Sequence, residues 1–267
     1  MPGTIVFSMI QKEFADKIIE TIKTDNSVIG LAAAGSWITN ELDEFSDLDL
    51  VLVTTEKVSD SKTKMLEYAN KFGQLLSAFT GEHVGEPRLL ICLYNNPLLH
   101  VDIKFLTLEE FGFRIETPVI LYDIDGQLQR VLDKTEGKFP YPDYQLIEDR
   151  FWVWVHYVLA KIGRGEYLEA FDSLSIFRMM IFGPLLHIKN GNLPKGVRKV
   201  ESQLAEQDFE QLKLTLATLD KKSLLIALMQ IIKLYRSLRT ELFEKTITRQ
   251  IRTEEAVMLY FKRIDND

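Results

Sequence analysis

The sequence is poor in residue types that mark several classes of protein. Its single cysteine, Cys92, excludes an intramolecular disulfide within these 267 residues and fits a reducing compartment. Cys92 lies in the apolar run Leu89–Tyr94, so we expect a small buried hydrophobic residue rather than a reactive thiol. Histidine is also scarce, and His83, His156 and His187 lack the partner spacing of a zinc site.

An excess of positive charge is missing as well. The chain has 32 Lys and Arg residues against 39 Asp and Glu residues, which gives a formal net charge of -7 at pH 7. Proteins that grip long nucleic acids rely on Lys and Arg contacts to phosphates. The balance therefore disfavours a polymerase or an RNA-tailing enzyme, and we expect no nucleic-acid partner. It is compatible with a small or cationic partner.

Long hydrophobic runs are absent too. No stretch reaches the roughly 20 apolar residues that a membrane-spanning helix needs. The first residues lack the basic region followed by a long apolar region that is typical of a secretory signal. We therefore expect no membrane partner and a cytoplasmic location.

Up to about residue 140, helical and strand-like segments alternate. Apolar residues at helical spacing predict helices over Ser8–Lys23 and Ser61–Phe79. Short apolar runs predict strands at Val28–Ala34, Asp47–Thr54, Arg88–Tyr94, Leu98–Phe105 and Pro118–Tyr122. The turn residues between the third and fourth of these strands predict an antiparallel hairpin.

Two prolines, Pro140 and Pro142, mark a change in texture, because prolines so close together disfavour a helix. After them, helical periodicity predicts helices over Tyr144–Ile162, Tyr167–Ile188, Lys199–Ala205, Gln207–Thr218, Lys221–Thr246 and Glu254–Ile264. Asp220 and Thr253 precede two of these segments as expected N-caps. The chain is therefore predicted to be an α+β protein.

The predicted architecture has two domains. A small mixed-sheet domain covers residues 1–138. An all-α helical bundle follows over residues 144–267.

Two aspartates open the second predicted strand. Residues i and i+2 of a strand point to one face, so Asp47 and Asp49 project together and Leu48 projects to the other side. Two carboxylates so close repel each other unless a cation lies between them. Hard oxygen ligands of this kind suit magnesium, which also binds substrate phosphates. This pair is therefore a predicted metal site.

Two further features fit the same chemistry. Asp102 is a charged residue inside an apolar strand, where it is costly unless it is paired or liganded. If its strand lies beside that of Asp47 and Asp49, it completes a cluster able to hold two metal ions, or it takes a proton from an acceptor hydroxyl. Gly35 and Ser36 follow a buried strand, where a glycine backbone and a hydroxyl can hold phosphate oxygens.

The order of these features resembles the DNA polymerase beta-like nucleotidyltransferase superfamily. The stretch AAAGSWITNELDEFSDLDLVLV, Ala32–Val53, is similar to its signature, and Asp102 matches the later strand aspartate. The two-domain layout, LYDIDGQL (Leu121–Leu128) and the segment Arg150–Arg178 resemble the bacterial aminoglycoside adenylyltransferases, which are antibiotic nucleotidyltransferases.

The resemblance implies a magnesium-dependent transfer of a nucleoside monophosphate, AMP from ATP in the first instance, to a hydroxyl of a small molecule. An aminoglycoside-like antibiotic is a candidate acceptor. Asp47 and Asp49 are implied metal ligands and catalytic residues, and Asp102 is an implied metal ligand or proton acceptor. Gly35 and Ser36 are implied to hold the triphosphate. The first domain, residues 1–138, is the implied catalytic domain, and the substrate and nucleotide are implied to bind in the cleft between the two domains.

The roles of His100, Lys104 and Lys161 remain open at the level of sequence. His100 and Lys104 flank Asp102 on the same strand face, and Lys104 either helps a phosphate or forms an ion pair with the aspartates. Lys161 ends the first bundle helix and is a candidate triphosphate ligand, as bundle residues are in related enzymes. The alternative is an ordinary surface lysine.

Two other functions remain open at the level of sequence. The same chemistry could serve a protein hydroxyl as acceptor. Alternatively, the fold could persist in a non-catalytic nucleotide-binding or interaction protein, although all three aspartates are present. The sequence does not identify the acceptor, because an acceptor is recognised by the shape of a pocket.

Overall fold

A computed structural model describes residues 10–266 of the chain. The chain divides into two compact units, Met1–Phe139 and Pro140–Asp267. The division falls just before Pro140, the first of the two prolines at which the sequence changes texture. The first two residues of the predicted helix Ser8–Lys23 lie outside the described residues.

The first unit is built on a mixed sheet. Its strands within residues 10–139 are β1 (Val28–Ala33), β2 (Leu48–Thr54), β3 (Gln74–Gly81), β4 (Glu86–Asn95), β5 (Leu99–Thr107) and β6 (Val119–Asp123). They lie in the order β3-β4-β5-β2-β1-β6. Among the strand pairs of these described residues, the β2–β5 pair is parallel and the other four are antiparallel. The predicted mixed sheet and the β4–β5 hairpin are confirmed.

Four α-helices within residues 10–139 accompany this sheet: α1 (Ile10–Ile22), α2 (Lys62–Phe72), α3 (Leu108–Phe111) and α4 (Gln127–Lys134). The apolar faces of α1 and α2 share a buried cluster with Leu48, Leu50 and Leu52 of β2. Val53 of β2, on the opposite face, belongs to a second cluster with residues of α3 and α4. Because strand side chains alternate, Asp49 projects to this second face.

The predicted helix Ser61–Phe79 is wrong in its last part. Helix α2 ends at Phe72, and the chain continues into β3, which pairs with β4. The apolar residues of β3 also fit a helical period, so periodicity alone could not separate the two structures. Gly73 lies between the two elements in little space, since a Cβ there would lie 3.2 Å from the rings of Phe14 and Tyr94.

The second unit consists of helices. Those between residues 140 and 266 are α5 (Tyr144–Gly163), α6 (Tyr167–Phe177), α7 (Gly183–Lys189), α8 (Val200–Gln203), α9 (Glu206–Lys213), α10 (Lys221–Leu242) and α11 (Ile251–Asn266). One π-helical turn, Arg178–Phe182, joins α6 to α7. A single apolar cluster forms the core of this unit. The predicted all-α second half is confirmed.

The two predicted N-caps of this unit have different outcomes. Asp220 caps α10, because its carboxylate accepts a hydrogen bond from the Ser223 N–H at 2.9 Å. Thr253 is not a cap, since α11 already begins at Ile251. Glu148 of α5 accepts the N–H of Gln250 at the start of α11, so a distant carboxylate takes the place of a local cap.

One continuous helical stretch, Tyr167–Lys189, is long and apolar enough to cross a membrane by length and composition. Half of its most apolar window is buried inside the protein. Its residues Phe177, Ile181 and Leu185 belong to the core of the second unit. A core helix of a globular unit has the same composition.

Candidate active site

The two aspartates of the β2 segment lie where the strand begins. Asp47 precedes β2 by one residue, and Asp49 is the second residue of the strand. Both side chains are half-buried, whereas Leu48 between them is 1% exposed and packs in the core. The alternation therefore places Leu48 on the core side and leaves Asp49 on the opposite face.

Asp102 lies directly beside Asp49. In the parallel β2–β5 pair, Asp49 is the register partner of Asp102. Neighbouring strands are about 4.8 Å apart, so the two carboxylates start from adjacent positions on one face. On the other side of β5, Ile91 of β4 is the register partner of Asp102. The crossover that makes β2 and β5 parallel thus joins residues that are 53 positions apart in sequence.

Gly35 lies against the Asp49 carboxylate. Its φ of +60° is in the left-handed region, and a Cβ at this position would lie 2.1 Å from Oδ2 of Asp49. The N–H of Ala34 donates to the Asp49 carbonyl oxygen at 2.9 Å, which fixes the turn to the strand. A glycine is required here both for the backbone conformation and for space.

Ser36 follows Gly35 in a short 3-10 turn, Gly35–Trp37. Its backbone carbonyl accepts a hydrogen bond from the N–H of Glu41 at 3.0 Å. Gly35 lies against Asp49 and Ser36 is the next residue of the chain, and their triphosphate role remains a prediction.

The loop before β2 is held by a residue that sequence reasoning missed. The Nε2 of Gln11 donates to the carbonyl oxygens of Asp43, at 2.9 Å, and Ser46, at 2.7 Å. Gln11 is 2% exposed and lies on the buried face of α1 beside Phe14. A polar residue at an apolar position of an amphipathic helix was the available signal. Its contacts fix the residue that immediately precedes Asp47.

The residues flanking Asp102 have separate partners. The Nε2 of His100 lies 2.8 Å from Oδ1 of Asp102. The Nζ of Lys104 lies 2.6 Å from Oε2 of Glu86, which also pairs with Arg88 at 2.7 Å. The ion pair seen for Lys104 is therefore with Glu86 rather than with the aspartates. His100 is placed to orient the Asp102 carboxylate.

An open polar cavity adjoins Asp47. It has a volume of about 290 Å³ and is lined by residues 44–47 and 98–100. The lining brings the loop before β2 together with the start of β5, so Asp47 and His100 border the same space. Such a cavity can admit a small polar group next to the aspartates.

A second carboxylate contacts Gly35, and no motif indicated it. The N–H of Gly35 donates to Oε1 of Glu116 at 3.1 Å. Glu116 lies 81 residues further along the chain, in the segment between α3 and β6. Sequence spacing carries no signal for a contact of this range.

Lys161 lies in the second unit among acidic residues. Its Nζ is 2.7 Å from Oε2 of Glu166 and 3.0 Å from Oε2 of Glu169. The hydrogen bonds to these two carboxylates raise the pKa of Lys161. Glu166, Glu169 and Asp172 line an open cavity of about 590 Å³. These two ion pairs hold the side chain, and its triphosphate role stays a prediction.

The aspartate site has the donor chemistry of a magnesium site, since its ligands are hard carboxylate oxygens. Asp49 and Asp102 are adjacent, and Gly35 leaves room for the Asp49 carboxylate. Across residues 10–266, however, no three His, Cys, Asp or Glu side chains are grouped so that they could hold a metal ion. Asp47, Asp49 and Asp102 therefore remain predicted ligands.

Cys92 has the predicted structural role. Its side chain is 1% exposed in the core of the first unit. Burial raises the pKa of its thiol to about 12, so the thiolate form is suppressed at neutral pH.

Comparison with known proteins gives a family match over nearly the whole chain. The family model described as streptomycin adenylyltransferase matches residues 9–264. The matched range includes Gly35, all three aspartates and Lys161. A comparison with curated proteins gives no match.

Three solved structures are similar to this chain. An aminoglycoside 6-adenyltransferase from Bacillus subtilis is 16% identical, with a TM-score of 0.40, over 96% of this chain and 99% of that chain. A spectinomycin adenyltransferase from Enterococcus faecialis, solved with ATP and spectinomycin, is 11% identical, with a TM-score of 0.33, over 96% and 98%. A nucleotidyltransferase-like protein from Exiguobacterium sibiricum is 11% identical, with a TM-score of 0.35, over 85% and 74%.

Proposed function

Since this chain belongs to the streptomycin adenylyltransferase family and is a nucleotidyltransferase, we propose that it transfers AMP from ATP to a hydroxyl of an aminoglycoside-class small molecule. The reaction releases pyrophosphate and depends on magnesium. One observation carries the site assignment: the β2–β5 register sets Asp49 beside Asp102, with the Asp49 carboxylate against Gly35.

Each residue has a role that its position supports. Asp47, Asp49 and Asp102 would hold magnesium, which supplies charge neutralisation of the phosphates when bound. The Gly35 N–H and the Ser36 hydroxyl would contact triphosphate oxygens, because the glycine permits a close approach of the chain. Asp102 would alternatively accept the proton of the acceptor hydroxyl, with His100 holding its carboxylate at 2.8 Å.

Two observations bear on the acceptor. The cavity beside Asp47 and His100 is polar and open, as a site for a hydroxylated molecule must be. In the second unit, Glu166, Glu169 and Asp172 line another open cavity. These carboxylates outnumber Lys161, which pairs with the first two, and the remaining negative charge suits a cationic compound. The formal net charge of -7 also favours the approach of a cation.

The test is a coupled assay of pyrophosphate release. Purified protein with magnesium is given each of the four NTPs and a panel of aminoglycosides, spectinomycin and lincosamides. The proposal predicts release that requires both ATP and one acceptor of the panel, with an adenylylated product by mass spectrometry. If ATP labels a protein of a cell lysate and no compound of the panel, the small-molecule acceptor is wrong.

A further inference from the structure

We propose that the Glu116 carboxylate is a placeholder: it accepts the Gly35 N–H in the place of a nucleotide phosphate, and it moves away when the triphosphate binds. The inference rests on the proposed function, because it takes the Gly35 N–H as a triphosphate contact. Its direct observation is the hydrogen bond from that N–H to Oε1 of Glu116, at 3.1 Å. A carboxylate oxygen and a phosphate oxygen are equivalent acceptors for a backbone N–H.

The backbone of Glu116 is held in place by the segment after α4. The N–H of Lys138 donates to the carbonyl oxygen of Arg114 at 2.9 Å. A Cβ on Gly137 would lie 3.1 Å from Cα of Glu116, so the two chain segments are in direct contact. This close approach fixes the point from which the Glu116 side chain extends.

The Arg114 side chain adds a second anchor to the segment after α4. Its guanidinium donates to the carbonyl oxygen and to Oγ1 of Thr135, each at 2.5 Å. Thr135 follows the last residue of α4, and Arg114 follows α3 by three residues. Glu116 is therefore presented to Gly35 by an anchored segment rather than by a loose loop.

Two carboxylates thus contact one glycine. Asp49 lies against the Cα side of Gly35, and Glu116 accepts its N–H. A triphosphate that approaches without a cation must displace one of these negative charges and approach the other. A triphosphate that carries a divalent cation meets less repulsion. The pair therefore disfavours the metal-free nucleotide more than the metal-bound nucleotide.

The experiment measures binding of inorganic triphosphate and ATP by calorimetry, with and without magnesium, to the wild type and to Glu116→Gln. Glutamine keeps the shape of the side chain and removes its charge. We expect the dissociation constant for metal-free triphosphate to fall about three- to tenfold, because the variant lacks one partly exposed negative charge that repels the triphosphate. The affinity for the magnesium complex should change less. Glu116→Ala should bind metal-free triphosphate at least as tightly as Glu116→Gln.

The matched control is Glu109→Gln, which removes an exposed charge from α3 in the same unit and should leave every dissociation constant unchanged. Suppose that the wild type binds magnesium-triphosphate and that Glu116→Gln binds metal-free triphosphate no more tightly than the wild type does. This result overturns the placeholder and leaves the proposed function standing. Weaker binding confined to the magnesium complex identifies Glu116 as a metal ligand and also overturns it. A wild type that binds neither form overturns both proposals.

Discussion

Asp49 of β2 is the register partner of Asp102 of β5, in the parallel strand pair of the sheet. This adjacency converts three separated sequence features into one site, since Gly35 also lies against the Asp49 carboxylate. The arrangement depends on the crossover from β2 to β5 through α2, β3 and β4. A change that alters the register of this pair by one residue would turn Asp102 to the core side.

Replacing Gly35 by alanine tests the contact with Asp49. The Cβ would lie 2.1 Å from Oδ2 of Asp49, and the φ of +60° is unfavourable for alanine. We expect a stability loss of about 1–2 kcal/mol, since a left-handed residue costs that much. We expect a fall in the rate of pyrophosphate release of about 100-fold, as misplacement of a reacting group by about 1 Å produces.

The control for this variant is Gly85→Ala. Gly85 also has a positive φ, +74°, but an added Cβ would meet nothing within 4 Å. Its stability should fall by a similar amount while the rate stays near that of the wild type. If both variants keep full activity, the Asp49 carboxylate does not need its position against Gly35.

Gln11 is expected to position the loop that carries Asp47. In Gln11→Leu, the carbonyl oxygens of Asp43 and Ser46 lose their common donor, at a cost of about 1–3 kcal/mol in the free energy of unfolding. The magnesium concentration for half-maximal rate should rise several-fold, because the loop no longer fixes Asp47. Lys12→Leu, on the exposed side of the same helix, should change neither quantity. A stability loss without a shift in magnesium dependence limits Gln11 to a structural role.

Glu86 should contribute stability that depends on pH. Burial acts to raise the pKa of this carboxyl, but the hydrogen bonds and charges of Arg88 and Lys104 outweigh it and lower the pKa from 4.5 to about 2. The folded-state pKa is below the unfolded one, so the contribution is present above about pH 4.5 and is lost as the pH falls towards 2.

The matching variant is Glu86→Gln. At pH 7 it should be about 1–2 kcal/mol less stable in urea unfolding, because the partners are about a third exposed and water screens their charges. The difference from the wild type should shrink below pH 4.5. Glu67→Gln, an exposed change on α2, should show no such trend. A difference that stays constant from pH 7 to pH 3 contradicts the ion-pair account.

Glu148 should be the most sensitive charged residue of the second unit. It is 0% exposed, it accepts hydrogen bonds from Tyr235 and the Gln250 N–H, and it pairs with Arg239 at 3.1 Å. Glu148→Ala leaves a buried guanidinium without this partner, which typically costs about 3–5 kcal/mol. Thermal unfolding should show a large fall in the midpoint.

The matched surface change for Glu148 is Glu255→Ala, on the exposed side of α11. Its midpoint should stay close to that of the wild type. Equal midpoints for the two variants would show that the buried pair does not hold α5, α10 and α11 together.

The sequence was sufficient for the parts of the site that follow from local pattern. Strand alternation separates Asp49 from Leu48, and the turn residues after β4 predict the hairpin that carries Asp102. It was insufficient where a longer-range interaction decides. The apolar residues of β3 fit a helix until pairing with β4 is known, and the contact of Glu116 with Gly35 depends on how two distant segments pack.

The N-terminus of α11 gives the same lesson. Thr253 has the residue type and the following acids of a cap, yet the helix begins two residues earlier. The Gln250 N–H finds its acceptor in Glu148, which is 102 residues away. A pattern of neighbouring residues does not report a partner that tertiary structure supplies.

The most direct test of the central claim is magnesium-dependent pyrophosphate release by Asp49→Asn and Asp102→Asn, compared with Asp60→Asn, an exposed change in the same unit. With ATP and the acceptor found for the wild type, both site variants should lose about 100- to 1000-fold in rate, the scale of a lost group that stabilises developing charge. Asp60→Asn should match the wild type. Wild-type rates in both Asp49→Asn and Asp102→Asn would contradict the account.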